Sequence, residues 1–206
     1  MDKMETRKAL FCVWDKDSIV ELARGLANYG YEITANRECA EFLRAKDINV
    51  TEISALTGIP EIIGGRVKAL HPAIMGGILA RRGWSDDMSE RDKYNIPLID
   101  IVVASPKPVD EVVKYAQFDK IVDAIDTEAS ALIRAAAKNY FHVAVLTETE
   151  DYERLLDELD RKQEIPLEFR QELAIKAFKA SASYDAEIYR VLCCELGLSD
   201  NAPSIW

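Results

Sequence analysis

The sequence has few of the residues that metal sites and disulfide frameworks require. Its 206 residues include four cysteines and two histidines, and no Cys-x-x-Cys pair occurs. A zinc site or a disulfide-stabilised secreted fold is therefore not expected. No apolar run approaches the roughly 18–20 residues that a bilayer-spanning helix needs. The chain starts MDKME, which is no apolar signal segment, so we expect a cytoplasmic protein without a membrane partner.

Basic side chains are outnumbered, with 26 Lys and Arg against 36 Asp and Glu and a net charge of −10. A chain this acidic is a poor partner for nucleic acid or an anionic membrane. We therefore expect a small-molecule ligand, and an anionic ligand would need a local cluster of positive side chains. Neither a P-loop nor a G-x-G-x-x-G fingerprint is present, which argues against nucleotide binding by those two modes.

Short apolar segments alternate with segments of helical spacing along the chain. The apolar segments predict buried strands at residues 8–13, 31–35, 49–53, 99–104 and 143–146. Helices are predicted around residues 19–26, 40–46, 127–139 and 168–196, and after a capping box formed by Thr147 and Glu150. This β-α-β order predicts an α/β fold, a doubly wound parallel sheet in three Rossmann-like layers.

The chain reads as a single domain over residues 1–206, because no linker or repeat divides it. Its core is predicted at about residues 8–165, followed by a helical C-terminal arm at about residues 166–198. In open parallel sheets, ligands bind at the carboxyl ends of the strands. The candidate loops at that edge are residues 14–18, 36–39, 105–109, the segment before Thr127 and the glycine-rich segment 65–71.

The glycine-rich segment carries two cations, Arg66 and Lys68. If the segment is extended, both side chains leave the same face, because strand side chains alternate with a period of two. Two cations pointing one way suit an anionic ligand. On spacing alone, the same pattern is also typical of two solvated surface charges.

Two motifs carry a resemblance to a known family: GGRVKALHP at residues 64–72 and GGILAR at residues 76–81. With matches spread from about residue 8 to 190, the chain resembles the inosine monophosphate cyclohydrolase domain. That domain is the N-terminal half of a bifunctional purine-biosynthesis enzyme. The resemblance implies a methylglyoxal-synthase-like sheet, a homodimer and a reaction without a cofactor or metal. The formyltransferase half of the family enzyme is absent from the sequence.

The implied reaction closes the second ring of 5-formamidoimidazole-4-carboxamide ribonucleotide to give inosine monophosphate, with loss of water. From the resemblance, Lys68 is expected to polarise the reacting oxygen, and Arg66 to hold the substrate. Asp126 and Lys138 are expected to pair and transfer protons. The residues alone describe Asp126 equally well as a helix N-cap and Lys138 as a lysine favourable to a helix C-terminus.

The loops depart from the family pattern while the scaffold is kept. Lys107 stands where the family has a tyrosine, and we expect it to take over proton transfer. Glu38 and Glu128 replace glycines and are expected to repel a phosphate, and Trp14 adds volume. The remaining candidate substrate-binding residues are Asp15, Lys16, Asn36, Arg37, Ser105 and Thr127.

Three hypotheses about function remain open. The chain is an active cyclohydrolase with a divergent pocket, a paralogue acting on a different heterocyclic substrate, or a non-catalytic binding or regulatory protein on the same scaffold.

Two further residues near the candidate loops are not expected to take part in catalysis. His71 precedes Pro72 in the motif and is expected to make a structural hydrogen bond, and Cys39 has no neighbouring base that would make it a nucleophile.

Overall fold

Five parallel strands form the sheet of the computed structural model, which describes residues 6–113 and 117–198. Their order is β3-β2-β1-β4-β5, so the chain first builds outward to one side of β1 and then to the other. This reversal is what makes the sheet doubly wound, as predicted. The strands are β1 (Lys8–Val13), β2 (Glu32–Ala35), β3 (Val50–Glu52), β4 (Ile101–Ser105) and β5 (Ala144–Leu146).

Helices cover both faces of the sheet. The first of them, α1, turns Ile19, Leu22, Ala23 and Leu26 toward the core, which is the spacing of three and four residues seen in the sequence. Within the described residues, the helices are α1 (Ile19–Asn28), α2 (Arg37–Arg44), α3 (Ile53–Thr57), α4 (Pro72–Leu79), α5 (Ser85–Lys93), α6 (Val109–Val113), α7 (Phe118–Asp123), α8 (Thr127–Lys138), α9 (Glu150–Lys162) and α10 (Leu167–Glu195).

The central strands are buried on both faces because helices pack above and below them. In β1, every residue from Ala9 to Val13 is buried, and Ala9, Leu10 and Phe11 have no exposed surface. Such continuous apolar runs are typical of parallel strands, which explains why the strands were recognisable in the sequence. The α/β fold and its parallel sheet are confirmed.

Some predicted boundaries differ from the structure. The third strand is shorter than residues 49–53, because Ile53 already begins α3. The capping box of Thr147 with Glu150 is wrong: Thr149 is the N-cap of α9 and makes no side-chain cap hydrogen bond. Glu150 is the first helical residue, and a capping box requires the acidic residue at the third. The short helices α3, α4, α6 and α7 were not predicted.

The C-terminal arm is the helix α10, which packs on α8, β5 and α6. Leu173 and Ala177 are buried against the domain, whereas Phe178 is 44% exposed. The Lys176 ammonium lies 2.7 Å from both carboxylate oxygens of the buried Asp151, which ties α10 to α9. Within residues 6–113 and 117–198, no helix combines the length and apolar character needed to span a bilayer.

Candidate functional site

A cleft opens at the edge of the sheet where the strands end. Its volume is about 620 Å³, within the roughly 300–1,000 Å³ typical of small-molecule sites. It lies where the strand order reverses around β1, the position at which open parallel sheets form ligand crevices. Its walls come from the end of β1, the first turn of α2, the glycine-bearing segment before α4, Lys107 and the loop leading into α8. The loops predicted from the sequence therefore converge on one place.

Most of the predicted site residues reach this cleft, and some do not. The predicted residues that line it are Asn36, Arg66, Lys68, Lys107, Asp126 and Thr127. Arg37 lines a smaller neighbouring cavity of about 130 Å³, which it shares with Asn36 and Lys68. The predicted residues that line neither cavity are Asp15, Lys16, Ser105 and Lys138.

The predicted pairing of Asp126 with Lys138 is wrong within the chain. Helix α8 runs without a break from Thr127 to Lys138, and Asp126 is its N-cap residue. Since 138 − 126 is 12 residues, a rise of about 1.5 Å per residue places the two Cα atoms about 18 Å apart. Lys138 is exposed in the last turn of α8, where a positive charge interacts favourably with the helix dipole.

Asp126 is both a helix cap and a cleft residue. Its Oδ1 accepts a hydrogen bond from the backbone N–H of Ala129 at 2.8 Å, and its own backbone N–H donates to the Tyr184 hydroxyl at 2.9 Å. The first contact fixes the carboxyl group from the helix side, and the second fixes the backbone of Asp126 from α10. Its Oδ2 accepts no hydrogen bond from the residues that the structure describes. One carboxylate oxygen of Asp126 therefore remains available to a ligand.

Trp14 forms part of the cleft wall next to two lysines. The Lys107 ammonium lies 4.3 Å from the centroid of the Trp14 ring, and the Lys16 ammonium lies 5.6 Å from it. Both distances allow a cation–π attraction. The backbone N–H of Trp14 donates to Ser105, whose carbonyl oxygen and Oγ each lie 3.2 Å away. Trp14 is 38% exposed and leaves the cleft open.

Most of the cations around the cleft are already paired with carboxylates. Lys68 and Lys107 line the cleft without an ion pair to any described residue. The other cations form three ion pairs: Arg66 with Asp123, Lys16 with Glu38 at 3.1 Å, and Arg37 with Glu61 at 3.0 Å. At least one side chain of each ion pair is exposed, so each contributes about 0–1 kcal/mol to stability.

Glu128 makes a set of contacts that the sequence did not predict. Its Oε1 accepts hydrogen bonds from three consecutive backbone N–H groups, those of Lys68 and Ala69 at 2.8 Å and of Leu70 at 3.2 Å. Glu128 is only 4% exposed, and its Oε2 is buried with no partner among the described residues. The signal in the sequence was an acidic residue in the first turn of a helix, which is too common to indicate this contact.

His71 has the structural role expected of it. It is the N-cap residue of α4, where its Nδ1 accepts a hydrogen bond from the backbone N–H of Ala73 at 3.1 Å. Pro72 is the first helical residue, which suits proline because no intrahelical N–H is needed there. The conspicuous histidine of the motif is thus committed to starting a helix.

Two thiols lie close to the cleft, and both are poor nucleophiles. Burial raises the pKa of Cys39 and raises the pKa of Cys12 well above its usual value. Cys39 Sγ donates to the carbonyl oxygen of Val13 at 3.5 Å, which engages it further. Within the described part of the chain, no group of three or more His, Cys, Asp or Glu side chains is arranged to hold a metal ion.

The fold and the cleft define a parallel α/β domain with a cleft of small-molecule size at its strand ends, and comparison with known proteins identifies its family. The family model of the MGS-like domain matches residues 18–133, and the model described as AICARFT/IMPCHase bienzyme matches residues 136–203. The chain therefore belongs to the family of MGS-like domains. The resemblance that the motifs indicated is confirmed.

Individual relatives agree with this assignment. The chain is 42% identical over 198 residues to the bifunctional purine biosynthesis protein PurH of Persephonella marina, a match that covers 96% of the chain and 38% of that protein. It is 43% identical to PurH of Aquifex aeolicus, over 88% of the chain and 36% of that protein. The crystal structure of ForH superposes with a TM-score of 0.81 at 34% identity, over 91% of the chain and all of ForH. The chain thus spans well under half of the PurH proteins but the full length of ForH.

Proposed function

We propose that the chain is a cyclohydrolase that closes a second ring on a heterocycle bearing neighbouring formamido and carboxamide groups. The reference reaction is the conversion of 5-formamidoimidazole-4-carboxamide ribonucleotide to inosine monophosphate. The observation that carries the proposal is that Lys68, Lys107 and Asp126 line the same cleft at the strand ends. The relatedness to PurH proteins and to the AICARFT/IMPCHase model supports the choice of reaction.

The chemistry of ring closure matches these three side chains. The carboxamide nitrogen attacks the formyl carbon and loses one proton, while the formyl oxygen gains one and becomes a hydroxyl group. The C–O bond then breaks and this hydroxyl leaves as water, because the formamido nitrogen gives up its proton and forms a C=N bond to the same carbon. The reaction needs a proton acceptor for the nitrogen and positive, proton-donating groups near the oxygen. The Asp126 carboxylate is the acceptor in this scheme. The ammonium groups of Lys68 and Lys107 stabilise the charge that develops on the oxygen.

The surroundings of these groups support their assigned roles. Asp126 Oδ1 is held by the N–H of Ala129, which leaves Oδ2 to face the substrate. Lys68 has no ion pair to a described residue, so its charge is not cancelled before the substrate arrives. Preorganised charges of this kind lower a barrier without rearranging during the reaction. Lys138, about 18 Å from Asp126 along α8, has no part in this scheme.

The test follows the absorbance of the closed ring with the purified chain in excess over the formylated ribonucleotide. We expect closure faster than in buffer alone, and a loss of about 100-fold or more in rate for Lys68→Ala, the range for removing one such charge. Lys179→Ala is the matched control, because Lys179 is an exposed lysine of α10 outside the cleft. Closure no faster than in buffer would exclude the ribonucleotide as the substrate and leave either closure on another substrate or a binding protein on the same scaffold. Full activity of Lys68→Ala would remove that residue from the mechanism.

A second candidate is the same closure on a substrate other than the ribonucleotide. It is favoured by the buried Glu128, whose carboxylate lines the cleft without an ion pair to a described residue and opposes the approach of a phosphate. Comparing kcat/KM for the formylated ribonucleotide and for its dephosphorylated riboside separates the two candidates. A higher value for the riboside supports the second, and a higher value for the ribonucleotide supports the first.

A further inference from the structure

The segment that carries Lys68 forms an anion-binding concavity out of its own backbone. The N–H groups of Lys68, Ala69 and Leu70 point at a single oxygen, and converging consecutive N–H groups are a common way for proteins to hold an anion. Here the anion is part of the chain, the carboxylate of Glu128. A ligand that enters the cleft therefore finds these three donors already engaged.

The second carboxylate oxygen of Glu128, Oε2, is buried without a hydrogen bond from a described residue. Glu128 is 4% exposed and lines the cleft. A buried carboxylate oxygen without a partner is unfavourable, so Oε1 stabilises the fold through its three hydrogen bonds whereas Oε2 places an uncompensated negative charge at the cleft wall. The negative charge of Glu128 repels an anionic group that binds beside it in the cleft.

The charges around the cleft do not make up for Glu128. Arg66 is paired with Asp123, so that its charge is cancelled before a ligand arrives. Lys68 and Lys107 are the cleft-lining cations without such a pair in the described part of the chain. Lys107 lies over the Trp14 ring at 4.3 Å, where the ring face attracts its ammonium group. A dianionic phosphate would face few free cations and one buried carboxylate.

We propose that Glu128 is a specificity-determining residue: its carboxylate occupies the anion site of the Lys68–Leu70 backbone and selects for a heterocyclic carboxamide without a phosphate group. The ligand class is the uncharged riboside or free base rather than the nucleotide. The identity of the heterocycle rests on the proposed cyclohydrolase function. The selection against phosphate rests on Glu128 and its contacts alone.

The experiment measures binding by calorimetry, independently of turnover. The probes are 5-aminoimidazole-4-carboxamide riboside, its 5′-monophosphate and inorganic phosphate, none of which has a formyl group and none of which reacts. Glu128→Gln keeps an oxygen for the three N–H groups and removes the charge, whereas Glu128→Gly also empties the concavity. Glu168→Gln is the matched control, because Glu168 is an exposed glutamate of α10 outside the cleft.

We expect the unmodified chain to bind the riboside at least as tightly as the monophosphate. Glu128→Gln should shift this ratio toward the monophosphate by about tenfold or more, because one close negative charge is removed. Glu128→Gly should in addition bind inorganic phosphate, and Glu168→Gln should behave like the unmodified chain. A tenfold preference of the unmodified chain for the monophosphate, or an unchanged ratio in Glu128→Gln, overturns the proposal.

The phosphate arm separates the two proposals. If neither heterocycle binds, the cyclohydrolase assignment fails, and inorganic phosphate still tests Glu128. Phosphate binding that appears in Glu128→Gly and is absent from the unmodified chain supports the role of Glu128. Equal phosphate binding by both proteins contradicts it. Should Glu128→Gly not fold, Glu128→Gln and the riboside-to-monophosphate ratio decide the question.

Discussion

Glu128 Oε1 lies 2.8 Å from the backbone nitrogen of Lys68, although the two residues are 60 positions apart in the chain. The contact joins the first turn of α8 to the segment that carries the central cation of the cleft. Because α8 also packs on β4 and β5, the position of Lys68 is tied through Glu128 to the sheet itself. The backbone that presents the lysine is thereby held in place.

The hydrogen bonds of Glu128 should contribute to the free energy of unfolding. Replacing Glu128 with alanine leaves three N–H groups without their acceptor, one of them buried, and should lower the free energy of unfolding by about 2–4 kcal/mol. Glu128→Gln retains an acceptor oxygen and should lose less than half as much. Urea unfolding followed by circular dichroism measures both variants. Equal losses in the two would show that the charge, and not the hydrogen bonds, holds the segment.

The thiols should differ sharply in reactivity. Cys12 and Cys39 are buried with raised pKa values, so the reactive thiolate is disfavoured in both. Cys193 and Cys194 lie near the end of α10 and are half-buried and exposed, respectively. A thiol-specific reagent at neutral pH should rapidly modify two of the four cysteines in the folded chain and all four in denaturant. Rapid modification of Cys39 in the native protein would contradict its assignment as a passive core thiol.

The sheet could be predicted from the sequence because each strand is a buried apolar run, and buried parallel strands have no polar face to interrupt the pattern. The helix α4 could not be predicted in this way. It contains Gly76 and Gly77, which have low helix propensity, and it forms because His71 caps it and its glycines pack against the segment leading into β4, residues 96–99. Tertiary contacts, which no local pattern shows, determine this element.

In the site, too, some features follow from the sequence pattern and others depend on tertiary contacts. The topology of a parallel sheet was enough to predict which loops meet, because the strand ends all lie at one edge. The pairing of Asp126 with Lys138 came from the family resemblance, and it conflicts with the helix predicted over residues 127–139, which the structure shows as the unbroken α8. The topology did not predict that Glu128 turns inward to the Lys68 backbone, since an acidic residue in a first helical turn is usually solvated. The hydrogen-bond partner of a single side chain that lies far away in the sequence depends on how the helices and strands pack, which no local pattern shows.

Arg81 and Asp87 give a pH-dependent contact away from the cleft. The two are joined by a bidentate ion pair, and Asp87 also accepts from the Arg81 backbone N–H, which together lower the pKa of Asp87 to about 2 from an ordinary 3.8. Because the folded-state pKa is the lower one, the contribution of the pair to stability is present above about pH 4. It is lost as the pH falls toward 2.

Carboxyl carbon NMR measures this titration directly. The Asp87 resonance should titrate with a midpoint near 2 in the unmodified chain. In Arg81→Gln, where the guanidinium is absent, the midpoint should return to about the ordinary value for aspartate. An unchanged Asp87 midpoint in the variant would show that the ion pair does not persist in solution.

Gly77 of α4 is the position where a single methyl group should do most harm. A Cβ atom there would lie 2.1 Å from the carbonyl oxygen of Pro97, which is backbone and cannot rotate away. The carbonyl oxygen of Gly77 also accepts the N–H of Ile99 at 3.1 Å, which holds α4 against the segment leading into β4. Gly77→Ala should therefore lower the free energy of unfolding by about 2–3 kcal/mol through overpacking. Gly83→Ala is the control, because no atom lies within 4 Å of its added Cβ, and it should change the free energy of unfolding by about 0.5 kcal/mol or less. Urea unfolding of the two variants in parallel measures the difference, and equal stability would mean that α4 is free to move away from Pro97.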